Sequence, residues 1–372
     1  MYIYQQNDWP NFRWDGERLA AKLSELRYRQ GKLLGRMQGL GFPLRSEALL
    51  ETLTFDVLKT SEIEGEMLNG DQVRSSIARR LGIDIFGLVP ADRNVEGIVD
   101  MLLDAIQLFR QPLTQERLFG WHAALFPTGR SGIRKITVAD WRQPEGGPMQ
   151  VVSGPMGKET IHFQAPDAVV VAVEMQRFIE WFNGESELDA VIKAAIAHFW
   201  FVTIHPFEDG NGRIARTIAD MQLTRADGSP QRFYSMSAQI HRERNRYYAI
   251  LEETQKGDLD ITGWLNWFLD CLDRALTATD DVLAGVLKKA RYWDWLNTKS
   301  LNERQRRLLN KLLDGFEGKL TSSKWAKIAR CSQDTALRDM QNLMEQGVLV
   351  REASGGRSTA YLLAHPPEKQ DE

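Results

Sequence analysis

Cysteine is nearly absent from this chain: Cys271 and Cys331 are the two in 372 residues. They lie in different regions, outside any CxxC or Cys/His spacing, so neither a disulfide framework nor a structural zinc site is expected. That usage fits a reducing cytoplasm, the expected location. No run approaches the roughly eighteen apolar residues of a membrane-spanning helix, so no membrane partner is expected. The start, "MYIYQQNDWPNFRWDGERL", lacks a basic segment followed by an apolar stretch, which argues against a signal peptide. The formal net charge is only -3, so there is no global pull toward nucleic acid or anionic lipid. Any nucleic-acid role must come from a local patch. Internal repeats, low-complexity tracts and a sustained heptad seam are also missing, so a homodimer is left open without an identifiable interface.

What remains is an ordinary folding composition, 43% apolar and 26% charged, in a chain long enough for two or three domains. The expected fold class is mainly α. Helical spacing marks 16–40, ending at a Gly-Phe-Pro break, then 45–68 and the short basic "GDQVRSSIARRLGI". It continues at 94–109, 114–125, 167–183, 187–204, 212–225, 242–255 and 260–298. The interval 141–166 is broken by Gly and Pro, with β-capable runs Met149–Ser153 and Glu159–Phe163 around "GPMG". It reads as an exposed hairpin on a helical body. After about residue 300 three helices precede "VLVREASGGRSTAYLL", a hairpin with a Ser-Gly-Gly turn, which is the winged-helix order. The tail 365–372 is expected to be disordered.

The chemistry concentrates in "TIHPFEDGNGRIARTIAD", residues 203–220. Leu188, Val191, Ile192, Ala195 and Phe199 make the preceding segment a buried helix, and Ile214, Ile218 and Met221 do the same beyond it. Between them Gly210 and Gly212 leave backbone N–H groups open at a helix N-terminus, a ready anion site. Arg213 and Arg216, three apart, share a face of the first turn and can clamp further phosphates. Asp209 is placed to hold Mg²⁺ beside a polyphosphate, and His205 can take a proton near neutral pH. Phosphate cradle, metal carboxylate and base together describe transfer of a phosphorus group to a hydroxyl. A lone "DG" or "GNG" is ordinarily a surface turn; the full set is not read that way.

The segment "HPFEDGNGRIAR" resembles the Fic-domain signature, His-Pro-Phe-x-Asp/Glu-Gly-Asn-Gly-Arg-x-x-Arg, at every defined position. The resemblance implies a helical Fic-type core with a β-hairpin flap, and transfer of AMP from ATP to a Ser, Thr or Tyr hydroxyl of a protein, the enzyme itself included among the candidate targets. It assigns His205 as general base, Phe207 as core anchor and Asp209 as the Mg²⁺ ligand. Gly210, Asn211 and Gly212 would cradle phosphates, with Arg213 and Arg216 on the outer ones. The flap, about 151–163, would align the target protein by strand pairing. "NRYYAILEETQKGD" resembles the adenine-side segment, pointing to Tyr248 and Gln255, although paired helical tyrosines commonly serve packing. "DWPNFRW", "QGKLLGRMQGLGF" and "VRSSIARRLGID" resemble the N-terminal region of one bacterial Fic branch, so the likeness covers about residues 1–280.

Upstream, Leu50, Leu53, Val57, Thr60 and Glu64 recur at helical steps, so an apolar stripe runs on into a hydroxyl and a carboxylate. An inward glutamate needs a cation, or it snorkels at a helix end. "TSEIEG" resembles the family's inhibitory motif, Ser/Thr-x-x-x-Glu-Gly/Asn, in which the glutamate pairs with the second signature arginine, here Arg216. Its position implies a built-in inhibitory helix at about 45–68. Such a glutamate also assists AMP removal in some relatives, and other nucleotides are used by related folds.

The expected division is an N-terminal region 1–92, a catalytic core 93–298 and a winged-helix-like domain 299–364. On the last, Leu337, Met340 and Met344 form the expected core stripe, leaving Gln333, Asp334, Arg338, Gln341 and Asn342 outward. Amide-bearing residues there suit base reading. Yet 317–361 carries seven Lys/Arg against five Asp/Glu, a weak basic excess, so protein contact competes evenly with DNA. Arg357 beside the Ser-Gly-Gly turn is one candidate phosphate contact. A contrasting reading of the whole chain is a nucleotide-sensing transcription regulator with little turnover.

Overall fold

The computed structural model describes residues 1–85, 87–154, 158, 160–313, 316, 318–352 and 359–365, with Phe42 by its backbone alone. The chain divides into two compact units, Met1–Ile83 with Val89–Val282, and Asp84–Leu88 with Leu283–Glu372. In order, the first unit contains α1 (Gly16–Gln38), α2 (Phe42–Ile63), α3 (Gly70–Leu81), α4 (Arg93–Gln107) and α5 (Gln115–Leu125). Two short hairpins follow, β1 (Arg130–Ser131) with β2 (Arg134–Lys135), and β3 (Gln150–Ser153) with β4 (Thr160–Gln164). Then come α6 (Ala168–Asn183), α7 (Ala190–Ile204), α8 (Asn211–Asp227), α9 (Met236–Arg242), α10 (Arg244–Gln255) and α11 (Thr262–Leu296). The residues of α11 from Leu283 onward group with the second unit.

The centre of the first unit is the α7–α8 pair. Every residue from Val191 to Ile204 is buried, so α7 has no polar face at all. Asp189 caps its start by accepting from the Val191 N–H, and Trp264 of α11 donates to the Ala195 carbonyl at 2.8 Å. Burying a side chain such as Phe199 or Phe201 contributes roughly 1.5–3 kcal/mol each. On α8 the buried run includes Ile214, Ile218 and Met221, the stripe expected from sequence. Helices α4 and α5 cross so closely that a Cβ at Gly97 would collide with the Ala124 carbonyl. Glycine is therefore required there by packing rather than by backbone angle.

Helix α2 differs from the expected 45–68. It starts at Phe42, with Pro43 tolerated in the first turn, and stops at Ile63. Gly65 adopts φ +83°, which L-residues avoid, and the Glu66 N–H closes onto the Ser61 carbonyl at 3.0 Å. The expected helix 242–255 forms as α10, starting two residues later, and a separate short helix not expected from sequence, α9, precedes it across Glu243. The hairpin at 141–166 forms, with a bulge between Val151 and Val152; residues 155–157 and 159 of its expected turn and second run lie outside the described residues.

In the second unit α12 (Glu303–Leu313), α13 (Ser322–Ala329) and α14 (Gln333–Glu345) precede the antiparallel strands β5 (Leu349–Arg351) and β6 (Tyr361–Leu363). Leu320 bridges to Tyr361, adding a third short extended segment. Leu308, Leu309, Trp325, Met340, Leu343 and Val348 build its core. The core stripe of α14 is Ala336, Met340 and Leu343; Leu337, expected inside, is 40% exposed because it lies a full helical step off that line. The five polar residues expected outward on α14 are exposed. The Ser354-Gly355-Gly356 turn, Arg357 and the tail after His365 lie outside the described residues.

Candidate functional site

The corner between α7 and α8 is held by backbone specials and buried polar bonds. His205 ends α7 with φ +53°, left-handed for a non-glycine residue, a strain of roughly 1 kcal/mol or more. Phe207 plugs the corner, fully buried, its ring stacked on His122 at 4.1 Å. The Asn211 side chain spans back to the same residue: its Oδ1 accepts from the Phe207 N–H at 2.9 Å and its Nδ2 donates to the Phe207 carbonyl at 2.8 Å. The side chain of Asn211 is thus a brace, and only its backbone remains for an anion. Gly210 caps α8 with φ +82°, and a Cβ there would press on Phe126 at 2.9 Å.

The His205 Nδ1 lies 3.2 Å from the Val202 carbonyl, which can only accept, so Nδ1 carries the proton and Nε2 the lone pair. Burial of the ring lowers its pKa to about 4, with the nearby Arg142 cation acting in the same sense and the Val202 bond opposing. The imidazole is therefore neutral at physiological pH, the form a general base needs. Arg142, itself buried, donates from Nε to the His205 carbonyl at 2.8 Å and fixes the strained residue.

Asp209 Oδ1 accepts from the Gly210 N–H at 2.6 Å, and Oδ2 accepts from the Ser131 hydroxyl. Its side chain is 42% exposed at the mouth of the corner. Among the described residues no group of three or more His, Cys, Asp or Glu side chains could hold a metal. A cation at Asp209 would therefore draw its remaining ligands from phosphate and water oxygens, which is how Mg²⁺ is commonly held.

Arg216 is 2% exposed and lies under the end of α2. Its Nε donates to the Thr60 hydroxyl at 2.7 Å, and its Nη2 to the Thr60 carbonyl at 3.1 Å and Glu64 Oε1 at 2.7 Å. Glu64, read from sequence as an inward glutamate, keeps 31% of its side chain exposed. The helix has ended one residue earlier, so Glu64 reaches the guanidinium from the rim. Burial alone would lower the Arg216 pKa; the adjacent Glu64 carboxylate more than offsets this and raises it. The same carboxylate lies against Gly212, where a Cβ would collide with it. It sits where an anion received by the start of α8 would sit. Arg216 Nη1 and Arg213 Nε are buried without a hydrogen-bond partner among the described residues, two donors left for an acceptor.

Sequence reasoning missed four members of this site, Arg142 among them. Glu66 pairs with Arg213 at 2.9 Å, so consecutive glutamates of one turn engage both arginines. His122 sits beneath the corner with its Nδ1 accepting from the Ala139 N–H and its Nε2 donating to the Asp209 carbonyl, each at 3.2 Å. Glu208, the variable position of the signature, accepts from the Thr137 hydroxyl at 2.7 Å. The spacing Glu64-x-Glu66 was legible; nothing local in sequence marks His122 or Arg142.

On the far side, Tyr248 is 37% exposed with Arg244 5.6 Å from its ring centre, and burial followed by the Glu64 charge raises its pKa. Gln255 is buried, and its Nε2 donates to Thr203 Oγ1 at 3.3 Å, tying α10 to α7. The site thus gathers His205, Asp209, Gly210, Gly212, Arg213, Arg216, Thr60, Glu64 and Tyr248, while Gln255 supports it from within. The hairpin β3–β4 exposes Val152 and Ile161 and anchors through buried Phe163, which meets Tyr2 and Tyr4 edge-on.

The corner lies within a stretch of the chain that matches a known family. Residues 112–223 match the Fic/DOC family, and residues 2–83 match a domain of unknown function, DUF4172. Protein adenylyltransferase Fic of Drosophila willistoni is 39% identical over 118 residues, covering 30% of this chain and 22% of that protein. The Drosophila virilis protein of the same name is 38% identical over 118 residues, covering 30% and 23%. The chain therefore spans under a quarter of the length of these relatives. A Fic family protein of Desulfovibrio desulfuricans G20 shares the fold across 94% of this chain and 97% of its own, with a TM-score of 0.50 and 19% identity. A Fic domain containing signaling protein from Bacteroides thetaiotaomicron VPI-5482 does so across 71% and 98%, with a TM-score of 0.51 and 20% identity.

Proposed function

Residues 112–223 are a Fic/DOC domain, and from that premise we propose that the protein is an adenylyltransferase restrained by its own α2. It moves AMP from ATP to a Ser, Thr or Tyr hydroxyl of a protein. His205 Nε2 takes the hydroxyl proton; the tautomer set by the Val202 carbonyl supports this role. The backbone from Gly210 to Gly212 receives phosphate oxygens at the α8 N-terminus, with the spare donors of Arg213 and Arg216 on outer oxygens. Mg²⁺ held by Asp209 would neutralise phosphate charge. Tyr248 borders the nucleoside, and the β3–β4 hairpin pairs with the target backbone.

The observation carrying this reading is the Glu64 carboxylate, which bonds Arg216 and lies against Gly212, the place of an incoming phosphate. Two anions cannot share it, so nucleotide seats productively only when Glu64 leaves. Thr60 holds Arg216 in line for that contact. Residues 1–92 would be the restraining region, 93–298 the catalytic core and 299–364 a winged helix contacting DNA or protein. The cell location would be the cytoplasm. A nucleotide sensor with little turnover, removal of AMP assisted by Glu64, and use of another nucleotide are outcomes the same test separates.

The test incubates wild type, Glu64→Gly and Glu64→Gly/His205→Ala with Mg²⁺, labelled ATP and a cell extract, then reads AMP on extract proteins by mass spectrometry. Transfer by Glu64→Gly that disappears with His205→Ala is expected. Equal labelling in all three overturns the restraint and the base together. Labelling from GTP or UTP instead of ATP changes the donor.

A further inference from the structure

Away from the corner, α2 has a second face that opens on a cavity. Glu51, Phe55, Lys59 and Glu62 recur at steps of four, four and three, so they form one stripe along the helix. The first three line a space of about 460 Å³, walled also by the segment 233–235, α9 and α11, all within the first unit. That volume is the size of a small-molecule site. Phe55 is 39% exposed although it lines the cavity, and Phe233, Ala275 and Val282 add apolar surface. Thr52, on the same helix wall, is buried, and its hydroxyl has no hydrogen-bond partner among the described residues. Such a group is one that burial has stripped of water and the chain has not satisfied.

The charges on the lining are sorted by end. At one end Lys59 meets His241 and Arg242, the last residues of α9. Lys59 Nζ is 2.6 Å and His241 Nε2 3.3 Å from Glu62 Oε2, so both face one carboxylate. Arg242 is exposed and has no partner among the described residues. At the other end are Glu51, about 12 Å back along α2, and Asp281. Arg274 pairs with Glu243 and Arg36 with Asp280, so α11 runs from the end of α9 toward the start of α2 and carries Asp281 away from the cations. We propose that this cavity binds a small monoanion with an apolar body, its carboxylate or similar head at Lys59, His241 and Arg242 and its chain or ring along Phe55. Glu51 and Asp281 repel a second negative group at the far end, so the site selects a monoanion over a dianion. The bound head competes with Glu62 for Lys59 and His241. Glu62 belongs to the restraining turn: its carbonyl accepts from the Gly65 N–H, and the Ser61 carbonyl accepts from the N–H groups of Glu64 and Glu66, each at 3.0 Å. Repelling Glu62 and drawing off its partners loosens the turn that holds Glu64 on Arg216. The ligand therefore binds better to the chain with that turn open, and by linkage its binding populates that state. The consequence for activity rests on the adenylyltransferase reading; the site does not.

Two measurements on the full chain test this. The first titrates octanoate, 1-naphthoate and the dianion octanedioate into wild type, Arg242→Glu and Phe55→Ala by calorimetry. Both substituted residues are exposed, so the fold should persist, and far-ultraviolet circular dichroism checks it. Saturable binding of octanoate or 1-naphthoate below about 10 mM is expected. It should weaken by about tenfold or more for octanedioate and in Arg242→Glu, and by less in Phe55→Ala. No saturation by either monoanion, or binding indifferent to both substitutions, overturns the site. The second measurement follows amide hydrogen exchange at 61–66 and AMP transfer to extract proteins, with and without the monoanion that binds. Exchange there should quicken, and transfer by wild type should rise about fivefold or more, while Glu64→Gly, with no restraint to release, stays level. Slower or unchanged exchange overturns the coupling. Faster exchange while no protein ever gains AMP overturns the adenylyltransferase reading and leaves the cavity and its effect on the turn in place.

Discussion

The corner at 205–216 and the turn at 60–66 meet in one site, yet they are built on opposite plans. The corner carries its own chemistry within a dozen consecutive residues, fixed by local devices: a left-handed His205, a left-handed Gly210 and the Asn211 brace on Phe207. The turn carries Thr60, Glu64 and Glu66, which mean little alone. Their partners, Arg216 and Arg213, are some 150 positions away in sequence and reach them because α2 ends over the first turn of α8. Catalytic groups need fixed mutual geometry and so sit in one rigid stretch. In the proposed reading the turn is a restraint, which must be able to leave, and partly exposed carboxylates at a helix end are suited to that.

Breaking the corner should produce the largest effect. His205→Ala in the Glu64→Gly background should lower AMP transfer by about 10²–10⁴-fold, with unchanged far-ultraviolet circular dichroism and labelled-ATP transfer as the readout. Asn211→Ala should cost about 1–3 kcal/mol of stability, because it leaves the buried Phe207 N–H and C=O unpaired; urea unfolding would register it as a lower midpoint. Perturbing the turn acts in the opposite direction. Glu64→Gly should raise transfer by about tenfold or more, the equivalent of one contact of ~1.4 kcal/mol released from the competing state. Its stability should fall, since the buried Arg216 cation loses the carboxylate that offsets its desolvation. Glu66→Gln should raise transfer only a few-fold, because its pair with Arg213 is more exposed; an effect larger than that of Glu64→Gly would reverse the assignment of the principal restraint.

The gentlest probe is pH. Burial first of all depresses His122 and His205 to about 4 and His198 to about 3, below the ordinary value near 6.5. In the unfolded chain these histidines bind protons that the folded chain refuses, so stability is fully present above pH 6.5 and declines as pH falls toward 4. Thermal melts from pH 7.5 to 5 should show a falling Tm. His205→Ala should flatten that slope by its share, whereas Glu64→Gln should leave most of it. A rising Tm over that range would contradict the burial of all three rings.

Much of this was legible from residues alone. A buried α7, the α8 stripe and the glycines at 210 and 212 follow from spacing and residue type, because their causes are local; Thr60 and Glu64 were legible as a pair, but on a helix that in fact ends at Ile63. The second unit shows where such reading slips. Leu337 is as apolar as Leu343, and only packing decided that Ala336 faces inward while Leu337 does not. The cavity beside α2 had no sequence signal, since its walls come from three helices and the segment 233–235.

By itself, then, the sequence determined which family the corner resembles and which residues the proposed chemistry would use, because a signature compressed into one helix–turn–helix corner needs no distant residue to be recognised. Tertiary structure decided where α2 stops, that Glu64 rests half-exposed on a fully buried arginine, that Glu66 takes the second arginine, and that His122 and Arg142 support the corner from below. Those facts depend on how helices far apart in the chain cross and which side chains lose water when they do. No local periodicity encodes that.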